Sequence, residues 1–164
     1  MAVKIKTNED IKMEKRRIFI GADSAGYALK EELKAQLISN GYDVTDCGTD
    51  SELSCHYPIY ASAVSERVAA EPEKTFGILI CGTGIGMSMC ANKYNGVRAA
   101  LCSDTFSARM TRIHNNANIL CLGARVIGSF LAADILDAFL LAEFEAGGRH
   151  ELRVNMISDI EKRN

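Results

Sequence analysis

The sequence lacks an excess of charge of either sign, a long apolar run and closely spaced pairs of cysteines. Its nineteen Lys and Arg and twenty-one Asp and Glu give a net charge of −2, without the broad positive field on which nucleic-acid binding usually depends. No stretch approaches the roughly 20 continuous apolar residues of a membrane span, and residues 1–15 mix charges where a signal peptide has an apolar centre. We therefore expect a cytoplasmic protein that binds neither nucleic acid nor membranes.

The six cysteines show none of the spacings that a metal site requires. They form no CxxC pair and no ligand spacing with histidine, and most of them lie inside apolar runs. This pattern indicates reduced, intracellular thiols. We expect neither a metal ion nor another cofactor.

The length and the apolar content fit one domain. With 164 residues and 48% apolar side chains, the chain can bury a core without disulfides or metal. Residues 1–15 are polar and weakly periodic, so we interpret them as a flexible extension. A single domain that includes C-terminal helices is predicted over residues 16–164.

From residue 16 onward, short apolar runs rich in β-formers alternate with longer segments of helical periodicity. This alternation is typical of a parallel sheet covered by helices on both faces, so we predict an α/β fold with five strands buried on both sides. The predicted strands span residues 17–22, 43–47, 76–81, 97–102 and 118–122. The predicted helices span about 27–40, 57–70, 105–113 and 130–145, with another that begins near 85 and a last one that ends near 161.

The loop after the third predicted strand is the most informative segment. In parallel α/β sheets, ligands bind beyond the carboxyl ends of the strands, and here Gly82, Gly84 and Gly86 alternate between a strand and a helix. Such a loop presents backbone N–H groups to an anion. Met87 stands where a dinucleotide-binding GxGxxG needs glycine, and no Lys-Ser/Thr pair follows as in a P-loop, which argues against a nucleotide site.

Cys81 ends the strand that enters this loop. A thiol beside a helix N-terminus and several amide N–H groups can exist partly as thiolate, which is the reactive form. A free cysteine also often only fills space in a core, and we interpret Cys47, Cys90, Cys102 and Cys121 in that way.

Two other side chains at the predicted ligand edge have both a functional and a structural interpretation. Thr83 can donate a hydrogen bond to a developing oxyanion or cap the following helix. Asp23, the carboxylate after the first strand, can bind a sugar hydroxyl or cap the helix that begins near Tyr27.

Arg149 and Arg153 lie four residues apart and so share one face of the last helix. Two guanidinium groups in this arrangement can hold a phosphate through charge-assisted hydrogen bonds, and Arg125 after the last strand can add a third cation. The alternative is a solvated helix in which Arg149 pairs with Glu145 or Arg153 with Glu151.

His114 has the most suggestive setting of the three histidines, at the end of a helix and beside amide side chains. An imidazole in this place can donate or accept protons near neutral pH. A helix C-terminus also favours a histidine that only caps the helix, so both interpretations stand.

Together these segments resemble the type B ribose-5-phosphate isomerase family, which also contains the galactose-6-phosphate isomerase subunits. The resemblance extends from about residue 18 to residue 161. It is carried by ICGTGIG followed by ANK, by HNNAN and by GGRHELRV, with support from GADSAG, DVTDCGT, HYPIYA, VRAALCSD and LGARVIG.

The resemblance implies a three-layer α/β/α, Rossmann-like fold with a five-stranded parallel sheet, and a homodimer with active sites at the interface that can pair into a tetramer. It also implies metal-independent interconversion of ribose 5-phosphate and ribulose 5-phosphate through an enediolate. By position, Cys81 is then the base and His114 assists ring opening. The enediolate oxygens are assigned to Gly82, Thr83, Gly84, Ile85 and Gly86, the sugar to Asp23, Ser24, Tyr57, Thr83 and Asn115, and the phosphate to Arg125, Arg149 and Arg153.

The sequence departs from the family at two positions. Ser24 stands where the isomerase usually has histidine, which leaves room for a longer sugar or another phosphate position, and Asn116 replaces the usual aspartate. Within the enzyme class, the alternative is an isomerase of a hexose 6-phosphate, of galactose or allose type, or of another sugar phosphate. Outside it, the alternative is a non-catalytic sugar-phosphate-binding protein, although such a protein needs no thiol at Cys81.

Overall fold

The computed structural model describes residues 16–163, so the flexible extension predicted for residues 1–15 lies outside the described residues. Five strands and six helices alternate along the described chain. The strands are β1 (Arg17–Ala22), β2 (Val44–Asp46), β3 (Thr75–Cys81), β4 (Ala99–Leu101) and β5 (Ile119–Gly123). The helices are α1 (Tyr27–Ser39), α2 (Tyr57–Ala70), α3 (Ile85–Ala91), α4 (Thr105–Asn115), α5 (Ser129–Leu140) and α6 (Arg149–Glu161).

The strands form one parallel sheet in the order β2-β1-β3-β5-β4. β3 lies at its centre, and all of its residues are buried. Side chains of a strand alternate between the two faces, so Ile78 and Ile80 pack into one core and Leu79 and Cys81 into the other. Helices cover both faces, which confirms the predicted three-layer α/β/α architecture.

The two helical layers have separate cores. α1 and α5 cover one face, with α4 packed against α5, and Leu33 and Phe139 belong to this core. α2 and α3 cover the other face, where Val64 and Met87 are fully buried. α6 packs on α4 at the side of these layers. Among residues 16–163, no helix is long and apolar enough to cross a membrane.

The prediction that every strand is buried on both sides was wrong for β2 and β4. Both are shorter than predicted. They are the two edge strands of the sheet, so each is hydrogen-bonded to one neighbouring strand only. Val44 is half-buried, whereas Thr45 and Asp46 are exposed. In β4, Leu101 is exposed.

The helix predicted over 130–145 is also shorter, because α5 ends at Leu140. The chain then turns so that the backbone N–H of Glu145 donates to the carbonyl of Ile113 at 3.0 Å. This bond ties the connection before α6 to the last turn of α4. α4 itself extends beyond its predicted end, to Asn115.

Candidate active site

The carboxyl ends of three neighbouring strands meet at one edge of the sheet. Cys81 of β3 is in register with Gly123 of β5, and β1 ends beside them at Ala22. The loops that follow these strands therefore converge, and α2 begins at the same edge. We call the predicted site residues located there the carboxyl-edge group, which consists of Asp23, Ser24, Tyr57, Cys81, residues 82–86 and Arg125.

Two glycines allow close backbone approach within this group. Gly84 has a φ of +77°, a left-handed conformation that glycine adopts at little cost, and a side chain there would also meet Leu101. A Cβ on Gly123 would lie 2.7 Å from the backbone carbonyl of Thr83. The end of β5 therefore supports the 82–86 loop at a distance that no larger residue permits.

The sulfur of Cys81 is held by the backbone of this loop. Only 6% of the residue is exposed, and Sγ accepts a hydrogen bond from the N–H of Gly84 at 3.1 Å. The sulfur thus faces a hydrogen-bond donor of the loop, whereas a cysteine that only fills space packs against apolar atoms.

Two other buried cysteines are in settings that keep the thiol protonated. Burial, together with the nearby charge of Asp104, raises the pKa of Cys102 to about 11. Burial also raises the pKa of Cys121 well above that of an ordinary thiol. Both residues pack in the core, as the sequence suggested.

The side chain of Thr83 makes one hydrogen bond with the start of α3. Its Oγ1 accepts from the N–H of Ile85 at 3.3 Å, whereas the N-cap residue of the helix is Gly84, without a side-chain cap. The side chain is exposed on the loop. Because this bond uses only a lone pair of the hydroxyl, the hydroxyl hydrogen can still be donated to another group.

Asp23 also has a structural role in the turn after β1. Its Oδ1 accepts hydrogen bonds from the N–H groups of Ala25 at 3.0 Å and Gly26 at 3.1 Å, which hold the turn together. Gly26 is the N-cap residue of α1 and no side chain caps that helix, so the interpretation of Asp23 as its cap was wrong. Oδ2 makes no hydrogen bond with the residues that the structure describes, which leaves it able to accept one from a hydroxyl. Ser24 lies half-buried in the same turn.

Tyr57 and Arg125 flank the 82–86 loop on two sides. The ring of Tyr57 covers Gly86 so closely that a Cβ there would lie 2.7 Å from Cζ. The N–H of Arg125 donates to the carbonyl of Gly82 at 3.0 Å, and its exposed side chain passes beside that glycine. The loop is thus framed by an aromatic ring and a cation.

The remaining predicted residues lie at the opposite end of the sheet, where the strands begin. α4 starts beyond the carboxyl end of β4 and ends just before the amino end of β5, so its last residues, His114 and Asn115, are far from Cys81. The eleven residues of α4 span about 16 Å. We call His114 and Asn115, with Arg149, His150 and Arg153 of α6, the α4–α6 corner. Within one chain, the structure does not bring this corner and the carboxyl-edge group together.

His150 is a residue of this corner that the sequence interpretation missed. Its ring stacks on that of His114, with centroids 4.2 Å apart and planes 8° from parallel. His150 is buried, and its Nε2 lies 3.7 Å from a carboxylate oxygen of Glu145. The only signal in the sequence was its place between two arginines on the predicted helix.

Arg149 and Arg153 are exposed, and their predicted ion pairs do not form. Glu145 faces His150, and Glu151 accepts a hydrogen bond from the N–H of Gly147 at 2.6 Å. Within residues 16–163, neither guanidinium has a carboxylate partner at ion-pair distance. Both remain available for an anionic ligand.

A cavity of about 650 Å³ lies between β4, α4 and α6. Of the predicted site residues, Asn115 alone contributes to its lining. It therefore lies away from Cys81 and the loop. In the described part of the chain, no group of three or more His, Cys, Asp or Glu residues could hold a metal ion.

The chain matches the family described as Ribose/Galactose Isomerase over residues 18–157. It is 48% identical over 148 residues to ribose-5-phosphate isomerase B of Escherichia coli (strain K12), covering 90% of this chain and 98% of that protein. It is also 48% identical over 133 residues to D-erythrulose-4-phosphate isomerase of Pectobacterium atrosepticum, covering 80% of this chain and 86% of that protein.

The fold is likewise similar to that of a solved structure. The crystal structure of ribose-5-phosphate isomerase B from Mycoplasma genitalium, with bound ribulose 5-phosphate, matches with a TM-score of 0.87 and 40% sequence identity. The match covers 90% of this chain and 97% of that one.

Proposed function

This chain belongs to the ribose/galactose isomerase family and is a sugar-phosphate isomerase, and we propose that it interconverts ribose 5-phosphate and ribulose 5-phosphate. The observation that carries the proposal is the hydrogen bond from the Gly84 N–H to the Cys81 sulfur at 3.1 Å, at the edge where substrates of such folds bind. We also propose a cytoplasmic location, since all six cysteines are free thiols.

In the proposed reaction, Cys81 acts as the base. Its thiolate removes the proton from C2 of the open-chain aldose, and the electron pair forms the enediolate, with negative charge on O1. The N–H groups of residues 82–86 and the hydroxyl of Thr83 stabilise that oxygen. The proton then returns to C1 while the proton on O2 moves to O1, and the ketose results.

The other residues bind and open the sugar. His114 transfers a proton between the anomeric hydroxyl and the ring oxygen, which opens the ring. Arg149 and Arg153, with Arg125, hold the phosphate through charge-assisted hydrogen bonds. Asp23 accepts hydrogen bonds from sugar hydroxyls, and the amide of Asn115 accepts and donates them. Ser24 and Tyr57 line the part of the site that holds the sugar.

We propose that two copies of the chain share each active site. The carboxyl-edge group and the α4–α6 corner lie at opposite edges of one sheet, so one small sugar phosphate cannot touch both in a single chain. A homodimer solves this if each site takes its carboxyl-edge group from one copy and its corner from the other. Exposed Ile85 and Phe106, in the first turns of α3 and α4, supply apolar surface for such contact.

A four-carbon sugar phosphate is the second candidate substrate. The relative named D-erythrulose-4-phosphate isomerase shares 48% identity with this chain, as much as the ribose-5-phosphate isomerase B of Escherichia coli does. Ser24, which lies in the turn after β1, is smaller than the histidine usual in the type B isomerases. It therefore leaves room for a phosphate group at another position than that of ribose 5-phosphate.

Solvent exchange tests these assignments. The purified protein, with a chelator, is incubated in heavy water with ribose 5-phosphate, erythrulose 4-phosphate, allose 6-phosphate or galactose 6-phosphate. With ribose 5-phosphate, we expect formation of the ketose and incorporation of deuterium at its C1, the carbon that receives the proton. The Cys81→Ala variant should show no exchange. Exchange confined to another sugar phosphate replaces the substrate assignment, and the absence of exchange with all four contradicts the proposed reaction.

A further inference from the structure

The α4–α6 corner contains a pair of histidines, of which the proposed reaction uses only His114. The two rings lie nearly parallel, with centroids 4.2 Å apart. His150 is only 8% exposed, whereas Arg149 and Arg153 on the same turns of α6 are exposed. One face of this helix start thus points outward with two cations, and the other holds an imidazole against α4.

We propose that His150 is a positioning residue whose stacked ring holds the His114 imidazole in place for ring opening. The inference rests on the proposed function, because it takes His114 as the group that assists ring opening. His150 acts through its neighbour and is not itself assigned contact with the sugar.

The groups that face His150 disfavour the charged form of its ring. Burial, the adjacent His114 and the arginines Arg149 and Arg153 lower the pKa of His150, while Glu145 alone acts in the opposite direction. The positive end of α6 acts with the arginines. A neutral ring can lie flat against an imidazole that gains and loses a proton, whereas two imidazolium rings at this distance would repel each other.

The stack also joins two helix ends into one unit. α4 carries His114, and α6 carries the arginines that are proposed to bind phosphate. Besides the two rings, the N–H of Glu145 donates to the carbonyl of Ile113 at 3.0 Å, next to His114. Loss of the His150 ring removes the support on one face of His114 and leaves Cys81, at the other edge of the sheet, unchanged.

Two reactions of the same enzyme separate these effects. Conversion of ribose 5-phosphate needs ring opening and enolisation, whereas exchange of the C1 hydrogen of ribulose 5-phosphate with heavy water needs enolisation alone. This ketose carries phosphate on O5 and so cannot close a five-membered ring. We expect His150→Ala to lower the rate of ribose 5-phosphate conversion roughly tenfold or more, because a displaced His114 loses its alignment with the sugar ring. The rate of hydrogen exchange in ribulose 5-phosphate should stay within about twofold of the wild-type value.

Replacement by other side chains tests the flat ring directly. His150→Phe keeps a stacking ring without titration, and we expect conversion within about threefold of the wild-type rate and an unchanged pH profile. His150→Leu fills similar space without a flat ring and is expected to behave like His150→Ala, so it serves if the alanine variant does not fold. Asn155→Ala, at an exposed position of α6, is the matched control.

Each outcome decides between the roles. Equal losses in conversion and exchange indicate a merely structural role and overturn the proposal, as does normal conversion by His150→Ala or no recovery in a folded His150→Phe variant. If the wild-type enzyme exchanges no hydrogen of ribulose 5-phosphate, the proposed function fails instead.

Discussion

The carboxyl edge of the sheet and the α4–α6 corner are built in different ways. At the edge, strands that end together position backbone groups, such as the Gly84 N–H that faces the sulfur of Cys81 and the end of β5 that supports the loop. At the corner, exposed arginines project from a helix end beside the stacked His114 and His150. Removal of a proton from carbon demands a base and oxyanion donors held in fixed places, whereas long cationic side chains can follow a phosphate. Under the proposed function, the rigid carboxyl edge serves proton transfer, and the adaptable corner, whose arginines face outward, serves phosphate binding.

The largest effect is expected from Cys81→Ala at the rigid edge. Without the base, kcat for ribose 5-phosphate should fall about 10³-fold, as general-base catalysis is lost. Cys90→Ala is the matched control, because Cys90 is a half-buried thiol of α3 outside the carboxyl-edge group. Steady-state kinetics measure both variants, and near-normal turnover by Cys81→Ala would exclude this residue as the base.

Gly123→Ala should have the next largest effect, because it disturbs the edge without removing a reactive group. The new Cβ would meet the carbonyl of Thr83 at 2.7 Å, so the loop must move, and kcat/KM should fall about 100-fold. Gly128→Ala serves as the control, because a Cβ at that position has no atom within 4 Å. Wild-type kinetics in Gly123→Ala would mean that the catalytic geometry does not depend on this support.

Arg153→Ala tests the adaptable corner. Loss of one charge-assisted hydrogen bond of about 1.5–3 kcal/mol should raise KM for ribose 5-phosphate by about 10- to 150-fold, with a smaller change in kcat. Arg163→Ala, at an exposed position after α6, should leave KM unchanged. If Arg153→Ala also keeps the wild-type KM, Arg153 is a solvated surface residue.

The smallest effect on catalysis is expected from Cys102→Ala, although Cys102 also lies just beyond a strand end at the carboxyl edge. A buried, protonated thiol contributes packing only, so kcat/KM should stay within about twofold of the wild-type value. The variant should differ instead in the pH dependence of its stability.

The sign of that difference follows from the raised pKa. The folded protein keeps the proton of Cys102 up to about pH 11, whereas a thiol at its ordinary value loses it near 9.0, so stability falls as pH rises between these values. Urea unfolding at about pH 8 and pH 10.5 should show a larger loss of unfolding free energy in the wild type than in Cys102→Ala. Equal losses of unfolding free energy in the two proteins would show that the pKa of this thiol is not raised in the folded state.

Sequence patterns predicted the centre of the fold because β1 and β3 are apolar on both faces, and because a glycine-rich segment follows β3. The lengths of β2 and β4 could not be predicted, since strand order decides which strands lie at an edge. The loop after β3 and the start of the next helix near residue 85 were predicted correctly, because alternating glycines before a helical pattern depend only on local geometry.

The α4–α6 corner depends on contacts between distant segments, and sequence spacing shows less of it. Spacing put Arg149 and Arg153 on one helix face, but it could not show that His150 turns inward onto His114. That contact exists only because α6 packs on the end of α4. The separation of His114 from Cys81 likewise follows from the direction in which α4 crosses the sheet.

Mixed dimers test the shared site most directly. Cys81→Ala chains and Arg149→Ala/Arg153→Ala chains are coexpressed with different tags, and native mass spectrometry verifies the mixed dimer. Activity is measured with ribose 5-phosphate well below the wild-type KM, where each variant alone is expected to be nearly inactive. In a two-fold dimer with shared sites, random pairing makes about half of the dimers mixed, each with one intact site, so the mixture should regain about a quarter of wild-type activity. If each chain instead held a complete site of its own, every site would carry one of the two lesions. Activity no higher than that of the parent variants, with mixed dimers present, would contradict the shared site.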